Sequence, residues 1–377
     1  MSSATTLARP GSPSASVPAP LLVYRDRIGT PSEIQFLRRQ YIGFTRLSPV
    51  WVGRHIMPLS GELGGEVVQL GGTWLSRLLF HRAGIVPRLE VDRAARVLHA
   101  QFARGGALAL PLARAHGLRM VVTLWGGDVS KAKNWRNTVL ARRWPEVIAA
   151  TERFVCVSSA IAGMALARQV PAAKLVVLPI GAEIPATPPP PPPAPTYHLF
   201  TGRFVAKKGI HDIAAAVRRL RAGGDATPIM LVGDGPLRPV LATLAREVAG
   251  VELAGWLPPD GVRARMAQAW SLLVPSVVAP NGDAEGLPSV VFEAMAQACA
   301  VIGTNEGGVA EAVQHERTGL LVPPRDPDAL AAAMHRLVTD QPLRHRLAQA
   351  GYDHARRDLN AHTQSVALEN LLLEVAS

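Results

Sequence analysis

The chain has 377 residues, of which 48% are hydrophobic and 18% are charged, so it has the composition of a folded protein rather than a disordered one. That length exceeds one ordinary core and predicts two domains. The formal net charge is +11, and no stretch contains the roughly 18 unbroken apolar residues of a membrane span, which argues against an integral membrane protein.

The N-terminal stretch, residues 1–19, is small, polar and proline-rich, and it lacks the apolar segment of a signal peptide. We therefore expect a disordered tail and a protein that stays in the cytoplasm. The two cysteines, Cys156 and Cys299, each lie within an apolar stretch. We expect neither a disulfide nor a metal site from them.

The first half contains four strand candidates, each an apolar run that ends in turn-forming residues. They are LLVYR, RVLHAQF, MVVTLW and RFVCVSS, at residues 21–25, 96–102, 120–125 and 153–159. An unbroken proline run follows at residues 188–193 and indicates a stiff spacer. We therefore predict a first domain over residues 20–186, a linker over 187–196 and a second domain over 197–360.

The second half contains five strand candidates, YHLFTGRF, IMLVGDG, VELAGW, SLLVPS and CAVIGT, between which helix candidates lie at residues 212–222, 238–250 and 287–298. This alternation of strands and helices predicts an α/β protein with two doubly wound parallel-sheet domains. Ligands of such sheets bind outside the carboxyl ends of the strands, beside helix N-termini. We therefore expect the chemistry at those junctions.

Four junctions of the second half each suit one part of a nucleotide diphosphate. Arg203 and Lys208 follow the first strand there and place two cations across a turn, where they can neutralise a diphosphate. Alone, such a pair is more often simply solvated. The other candidates are Gly233 and Gly235, which allow close backbone approach or form a plain turn, and Trp256 and Leu257, which wall a base or belong to the core.

The fourth junction reads DAEGLPSVVFEAMA, at residues 283–296. Glu285 precedes a predicted helix whose first turn contains Pro288, and Glu293 lies about one turn inside it. The free amides of the helix N-terminus suit a phosphate. We expect Glu285 to reach hydroxyls of a sugar attached to that phosphate and Glu293 to reach the ribose diol. A capping acid and a solvated helix residue also explain these two glutamates in isolation.

Together these segments resemble the GT-B glycosyltransferases of family 4. The likeness extends over roughly residues 198–335 and is carried by GRFVAKKG, GDGP, EGLPSVVFEAMA and EGGVAEAV, in that order. It implies the GT-B fold, in which two Rossmann-like domains face a cleft and a C-terminal helix, here residues 361–377, crosses back to the first domain.

The resemblance also implies the roles of the site residues. Arg203 and Lys208 would stabilise the departing diphosphate and Glu285 would orient the sugar. The donor-binding residues would be Gly202, Gly233, Gly235, Trp256, Leu257, Gly286, Leu287, Pro288 and Glu293. A hexose would pass from a UDP-sugar or GDP-sugar with retention of configuration, assisted by the departing diphosphate and requiring no metal or other cofactor.

The first half resembles the family more loosely. Residues 30–41, which follow Gly29, look like the opening helix of some members, and Ser158 and Gly181 fall where the family ends its first domain. We place Gly29 on the acceptor side of the cleft.

Two positions depart from the family pattern. Trp125, in TLWGGD, replaces a histidine that faces the transferred sugar, and HAQFA, with His99 and Gln101, replaces a common H-x-H-F-G. We expect Trp125 and Asp128 beside the transferred sugar, although Asp128 also suits a turn-capping role.

The basic excess lies in the first half, where residues 1–193 contain 23 Lys and Arg against 10 Asp and Glu. Residues 131–144 carry five cations, two tryptophans and no acid. This segment, extended by Arg38, Arg39, Tyr41 and Phe44, suits a helix lying on anionic lipid or, equally, a solvated helix with aromatic anchors in the core.

Nothing in the sequence matches a nucleic-acid-binding motif. We therefore predict a glycan or lipid-linked acceptor, a role in bacterial exopolysaccharide or surface polysaccharide synthesis, and a peripheral position at the inner face of the cell membrane. Two alternatives stay open: a non-catalytic nucleotide-sugar-binding partner of an active transferase, in which Trp125 has abolished turnover, and a sugar-nucleotide epimerase on the same fold.

Overall fold

The computed structural model describes residues 17–30, 33–136, 138–190 and 197–377. These residues form two α/β units, each a parallel sheet covered by helices, and the predicted fold class is confirmed. Most of the predicted tail and linker, residues 1–16 and 191–196, lie outside the described residues. The division into domains over residues 20–186 and 197–360 is our proposal from these two sheets.

The first sheet contains seven strands. They are β1 (Ala19–Tyr24), β3 (Leu47–Gly53), β5 (Glu66–Gln69), β6 (Val97–Gln101), β7 (Arg119–Leu124), β8 (Thr151–Cys156) and β9 (Leu175–Val177). Their order is β5-β3-β1-β6-β7-β8-β9, with every pairing parallel. Two short strands, β2 (Arg27–Ile28) and β4 (His55–Ile56), pair separately. The helices are α1 (Ile34–Gln40), α2 (Trp74–Ala83), α3 (Ala103–Ala115), α4 (Gly127–Ser130), α5 (Val139–Ala150) and α6 (Ser159–Ala167).

The second sheet contains six strands: β10 (His198–Thr201), β11 (Ile229–Val232), β12 (Val251–Gly255), β13 (Ser271–Val274), β14 (Ala300–Thr304) and β15 (Leu320–Val322). Their order is β12-β11-β10-β13-β14-β15, again all parallel. The helices are α7 (Ile210–Ala222), α8 (Arg238–Glu247), α9 (Pro259–Gln268), α10 (Ser289–Ala296), α11 (Gly307–Ala312), α12 (Pro327–Thr339), α13 (Gln341–Asp358) and α14 (Ala361–Ala376).

The nine predicted strands are β1, β6, β7, β8 and β10 to β14, and the three predicted helices are α7, α8 and α10. Strand β3 was not predicted. It lies between β5 and β1 although it contains Pro49, which has no N–H group to donate to a neighbouring strand. None of the helices in the described part of the chain is long and apolar enough to cross a membrane.

Each sheet reverses its winding direction at one point, between β1 and β6 in the first and between β10 and β13 in the second. Loops leaving the two strands at such a point turn to opposite faces of the sheet and open a crevice between them. All four residues of β10 and of β13 are buried, because helices cover both faces of the sheet. The second crevice therefore has a rigid base.

The C-terminal helix α14 packs on the first domain against α1, β6 and β7, as predicted. Leu368 and Leu372 join the apolar cluster that contains Leu37 of α1. Glu369, which is 1% exposed, accepts the backbone N–H groups of residues 45–47 at 2.8, 2.7 and 2.8 Å. Burial opposes ionisation of this carboxyl, but the three N–H groups and Arg46 outweigh it and hold the pKa of Glu369 below its ordinary value.

Replacing Glu369 tests this attachment. We expect Glu369→Ala to lower the free energy of unfolding by about 1 to 3 kcal/mol, because three N–H groups, among them that of buried Leu47, lose their acceptor. Since the folded state lowers the pKa of Glu369, the stabilisation is present at neutral pH and is lost as the pH falls through the folded pKa. Urea denaturation at several pH values measures both effects. The control Glu374→Ala, on the exposed side of α14, should change little, and equal loss in both variants would contradict this interpretation.

Candidate functional site

A cavity of about 1240 Å³ lies between the two domains, at the carboxyl ends of both sheets. The first domain contributes Arg25, Phe102 and Trp125, which follow β1, β6 and β7. The second contributes Arg203 and Glu285, from the loops after β10 and β13. Both points of winding reversal therefore open onto the same space, as expected for ligand sites of doubly wound sheets.

Most of the predicted site residues line this cavity: Trp125, Asp128, Gly202, Arg203, Lys208, Gly233, Trp256, Leu257, Glu285, Leu287 and Pro288. Four do not, namely Gly29, Gly235, Gly286 and Glu293. Gly29 and Gly235 pack against backbone, since a Cβ on either would lie 2.2 Å from the Ser60 nitrogen and 2.7 Å from the Phe204 oxygen respectively.

Glu285 is held between two lysines. Its carboxylate lies 3.1 Å from Lys207 Nζ and 3.3 Å from Lys208 Nζ, and Lys207 also lies 3.3 Å from Asp283. Burial opposes ionisation, but the Lys208 and Lys207 ammonium groups outweigh it and hold the pKa of Glu285 below its ordinary value. Glu285 Oε1 is buried and lacks a well-directed hydrogen bond among the described residues, although the Lys207 ammonium lies beside it.

Arg203 is the cation that this cluster leaves uncompensated. It is exposed, lines the cavity and forms no ion pair among the described residues. Its loop is fixed by a backbone contact with the next junction, because a Cβ on Gly233, where φ is +134°, would lie 2.0 Å from the Gly202 oxygen. The guanidinium is thus a positive group in position to bind an anion.

The N-terminus of α10 and the loop after β12 complete this side of the cavity. Ser289 and Val290 in the first turn of α10 line it, where N–H groups without helical acceptors favour an anion. Trp256 is 70% exposed and lies at the wall, whereas Leu257 packs on the apolar cluster behind it. The indole of Trp256 is therefore available to stack on a flat group.

On the opposite wall, Trp125 belongs to an aromatic cluster that the sequence did not predict. Its ring centroid lies 4.4 Å from that of Phe36 and 5.7 Å from that of Phe102. Arg25 lies 4.2 Å over the Phe102 ring and donates to both carboxylate oxygens of Glu33 at 2.5 to 3.0 Å. All of these residues line the cavity. Arg25 and Phe102 directly follow predicted strands, and this position was the sequence signal that could have identified them as site residues.

Trp125 and Gln101 are hydrogen-bonded to each other. Trp125 Nε1 donates to Gln101 Oε1 at 2.9 Å, and Gln101 Nε2 donates to the Tyr41 hydroxyl at 2.6 Å and to Gln40 Oε1 at 2.8 Å. The Tyr41 hydroxyl lies 2.8 Å from His99 Nδ1. Burial lowers the pKa of His99 to about 3, so its ring is neutral. The two departures from the family pattern therefore form one buried polar network.

Asp128 holds the loop that carries Trp125. Its carboxylate accepts backbone N–H groups from Ala103 at 2.9 Å, Trp125 at 3.1 Å and Gly126 at 2.7 Å. Burial raises the pKa of Asp128 in spite of these bonds. The alternative of a turn-capping role therefore agrees with the structure.

Gly286 lies at a close contact between the two domains. A Cβ at this position would lie 2.1 Å from the Trp125 backbone oxygen, and Ser158 Oγ donates to the Gly286 oxygen at 2.8 Å. Nearby, Glu311 accepts the N–H groups of Ser159 and Ala160 at 2.7 and 2.6 Å, at the start of α6. Gly286 is thus placed at a contact between domains rather than on the cavity wall.

Glu293 is also engaged between domains. Arg39 Nη1 donates to its carboxylate at 2.6 Å, and Arg39 is only 3% exposed. In this structure the carboxylate that was predicted to reach a ribose is bound by a side chain of the first domain. Arg39 was predicted to lie on a surface, which is wrong because this ion pair buries it.

Residues 131–144 do not form one helix. A 3-10 turn over Ala132–Trp135 precedes α5, and Trp135 packs at 5.0 Å against Trp144, which is buried. Tyr41 is buried as well. The structure therefore supports aromatic anchors packed in the core rather than a helix lying on anionic lipid.

Among the residues that the structure describes, no three His, Cys, Asp or Glu side chains converge in a way that could hold a metal ion.

Family models match both halves of the chain. The model described as glycosyl transferases group 1 matches residues 195–340, and the glycosyl transferase 4-like domain matches residues 42–181.

Curated relatives include WcaL of Salmonella typhimurium, which is named for colanic acid biosynthesis and is 30% identical over 67% of this chain and 64% of its own length. The amylovoran biosynthesis glycosyltransferase AmsK of Erwinia amylovora is 29% identical over 71% of this chain and 66% of its own length. The chain thus spans less than two thirds of the length of these relatives.

Among solved structures, HepE of Anabaena in complex with UDP-glucose superposes with a TM-score of 0.76 at 16% identity, covering 94% of this chain and all of that one. The likeness is one of fold, and it supports the predicted two-domain GT-B arrangement.

The hydrogen bond between Trp125 and Gln101 is testable by a double-mutant cycle. We expect Gln101→Leu and Trp125→Phe each to destabilise the fold, and the double variant to lose less than the sum by about 0.5 to 3 kcal/mol, because the second change removes a group already unpaired. Urea denaturation of the four proteins gives the coupling free energy. Strict additivity would mean that the bond has no net effect.

The charge cluster is testable through pH. We expect Glu285→Gln to lower the free energy of unfolding by about 1 to 3 kcal/mol at neutral pH, because Lys207 and Lys208 lose their shared anion. Folding lowers the pKa of Glu285. The difference in stability between the wild type and the variant should therefore be fully present at pH values above the ordinary glutamate pKa and disappear as the pH falls through the folded pKa. A difference independent of pH would exclude the ionic origin.

Proposed function

The chain belongs to the group 1 glycosyltransferases, and from that premise we propose that it is a retaining transferase of the family 4 type that moves a hexose from a nucleotide diphosphate sugar to a glycan or lipid-linked saccharide. The observation that carries the proposal is Arg203, a cation without an ion pair among the described residues, which lines an interdomain cavity beside the Lys208–Glu285 pair. A diphosphate is an anion that this arrangement fits.

The donor occupies the second-domain side of the cavity. Its diphosphate contacts Arg203, Lys208 and the first turn of α10, so that negative charge developing on the leaving group meets fixed positive charge. The carboxylate of Glu285, which lines the cavity, accepts a sugar hydroxyl. The exposed ring of Trp256 stacks on the base of a UDP-sugar or GDP-sugar, and the Anabaena neighbour with UDP-glucose supports a nucleotide sugar.

The transfer needs no protein nucleophile in this proposal. The bond from the anomeric carbon to the diphosphate oxygen breaks, the acceptor oxygen bonds to that carbon on the same face, and the acceptor proton passes to the departing diphosphate. Asp128 does not serve as the base, because its carboxylate is already bound to three backbone N–H groups. Arg203 and Lys208 supply the countercharge, so we propose that no metal is required.

Trp125 takes a wall position in this mechanism. Its indole N–H is committed to Gln101, so the ring offers its face to the apolar side of a sugar rather than a hydrogen bond. A histidine at this position could donate or accept a proton, whereas the indole can only position the sugar. That difference keeps the non-catalytic partner as the rival function.

The acceptor is proposed from charge. Arg82, Arg104 and Arg142 are exposed at the first-domain side of the cavity and form no ion pair with an acid among the described residues. A lipid-linked saccharide carries phosphate that complements them. Relatives named for colanic acid and amylovoran biosynthesis support a role in bacterial surface or exopolysaccharide synthesis. We place the protein at the inner face of the cell membrane because the lipid-linked acceptor of this proposal is held in that membrane.

Calorimetric titration with UDP, GDP and their sugars tests the donor site. We expect one nucleotide to bind, and Arg203→Ala to weaken it at least tenfold, a loss of about 1.4 kcal/mol or more, because the diphosphate loses its uncompensated cation. The control Arg246→Ala removes an exposed arginine of α8 that does not line the cavity and should bind as the wild type does.

Slow hydrolysis of the bound sugar donor without an acceptor, and transfer of the sugar when an acceptor is added, would support the transferase. Binding without turnover on any acceptor would favour the non-catalytic rival, and conversion of the sugar without transfer would favour an epimerase. Failure of every nucleotide to bind would overturn the donor site.

A further inference from the structure

We propose that the outward face of α2 docks the protein on an anionic bilayer, immediately beside the acceptor side of the cavity. The proposal rests on the proposed function only in assigning the lipid anchor of the acceptor to that bilayer. The docking itself follows from the surface of α2.

The outward face of α2 is apolar. Trp74, Leu75, Leu78 and Leu79, hereafter the α2 stripe, are 69%, 50%, 38% and 38% exposed. Residues spaced in this way share one side of a helix. The opposite side is anchored in the core by Phe80, which is fully buried. Four large apolar side chains exposed together on a ten-residue helix form a patch of the kind that marks an interaction site.

The charged side chains of α2 itself are all basic. The helix contains Arg77 and Arg82 and no acid, and Ile85, 56% exposed, extends the apolar surface past its end. Arginines that flank exposed tryptophan and leucine are typical of helices lying in the interface of anionic membranes, where the rings enter the headgroup region and the cations meet lipid phosphates.

The α2 stripe leads directly to the cavity. Arg82 lies three and four residues beyond Leu79 and Leu78, on the same side of the helix, and lines the cavity together with His81. Arg104 also lines the cavity, and its Nη2 lies 3.4 Å from His81 Nε2. A bilayer seated on the α2 stripe therefore places the phosphate of a lipid-linked acceptor beside these arginines, while its tail stays in the membrane.

A second copy of the chain fits this face less well. Two α2 helices packed face to face would bring the Arg82 side chains of both copies together with no acid on either helix to compensate them. The helix is also complete by itself, because Thr73 and Ser76 form a reciprocal N-terminal cap and Gly84 ends it in a left-handed conformation. It presents a preformed face that needs no folding partner.

The test compares binding to vesicles of phosphatidylcholine with and without phosphatidylglycerol, measured by co-sedimentation of the full chain. The stripe variant is Trp74→Ser/Leu78→Ser. Its matched control, Leu166→Ser/Val177→Ser, removes two apolar side chains of the first domain that are 48% and 45% exposed elsewhere. We expect the wild type and the control to bind the anionic vesicles and to be released by salt. The stripe variant should bind these vesicles at least roughly tenfold more weakly.

Donor binding and thermal unfolding are measured on the same proteins. Neither should change in the stripe variant, because the α2 stripe does not line the cavity, so failure of the donor site and failure of membrane docking are separate results. Should the double variant unfold, Leu79→Ser replaces it. Wild-type affinity of a folded stripe variant for anionic vesicles, or no affinity of the wild type, would overturn the proposal. So would a wild-type dimer in sedimentation equilibrium that the stripe variant abolishes.

Discussion

The contact between Gly286 and the Trp125 backbone sets the geometry of the cavity. Because a Cβ at Gly286 would lie 2.1 Å from the Trp125 oxygen, only glycine allows the domains to come so close. Glu285 is the preceding residue on one side of this contact, and the indole of Trp125 extends from the other. The group proposed to hold the sugar hydroxyl and the ring proposed to cover the sugar are therefore spaced by main chain rather than by flexible side chains, which favours a preorganised site.

The second-domain wall of the cavity is organised by an imbalance of charge. Asp283 and Glu285 share Lys207, while Lys131 binds Asp283 at 2.9 Å and Lys208 binds Glu285. The acids fix the lysines in place and leave Arg203 without an ion pair among the described residues. Fixed cations in a cleft with low-dielectric walls stabilise a departing anion more than solvated cations do, because they need no reorganisation as its charge develops.

Most residues that the sequence assigned to the second-domain site line the cavity, because they lie where a regular strand ends or a helix begins, and their roles stay predictions. Features that depend on distant partners were not predictable. Trp125 and Gln101 meet only because β6 and β7 are adjacent, and Arg39 reaches Glu293 across 254 positions. Strand β3 was not predicted because it contains Pro49, and proline is unusual within a strand that has neighbours on both sides. The composition of residues 131–144 suggested a membrane surface, yet Trp144 is buried and Trp135 packs against it. The exposed tryptophan of α2, by contrast, drew no prediction, because composition does not reveal which way a helix faces.

The attachment of α14 to the first domain has a consequence for synthesis. The N–H groups of residues 45–47 find their acceptor only at Glu369, more than 300 residues later. A first domain that has just left the ribosome therefore lacks part of its apolar cluster, and the buried N–H group of Leu47 lacks its acceptor, until α14 has been synthesised. Contacts of such long sequence separation form slowly, since a large loop must close first. Completion of the first domain is thus expected to follow the synthesis of the whole second domain.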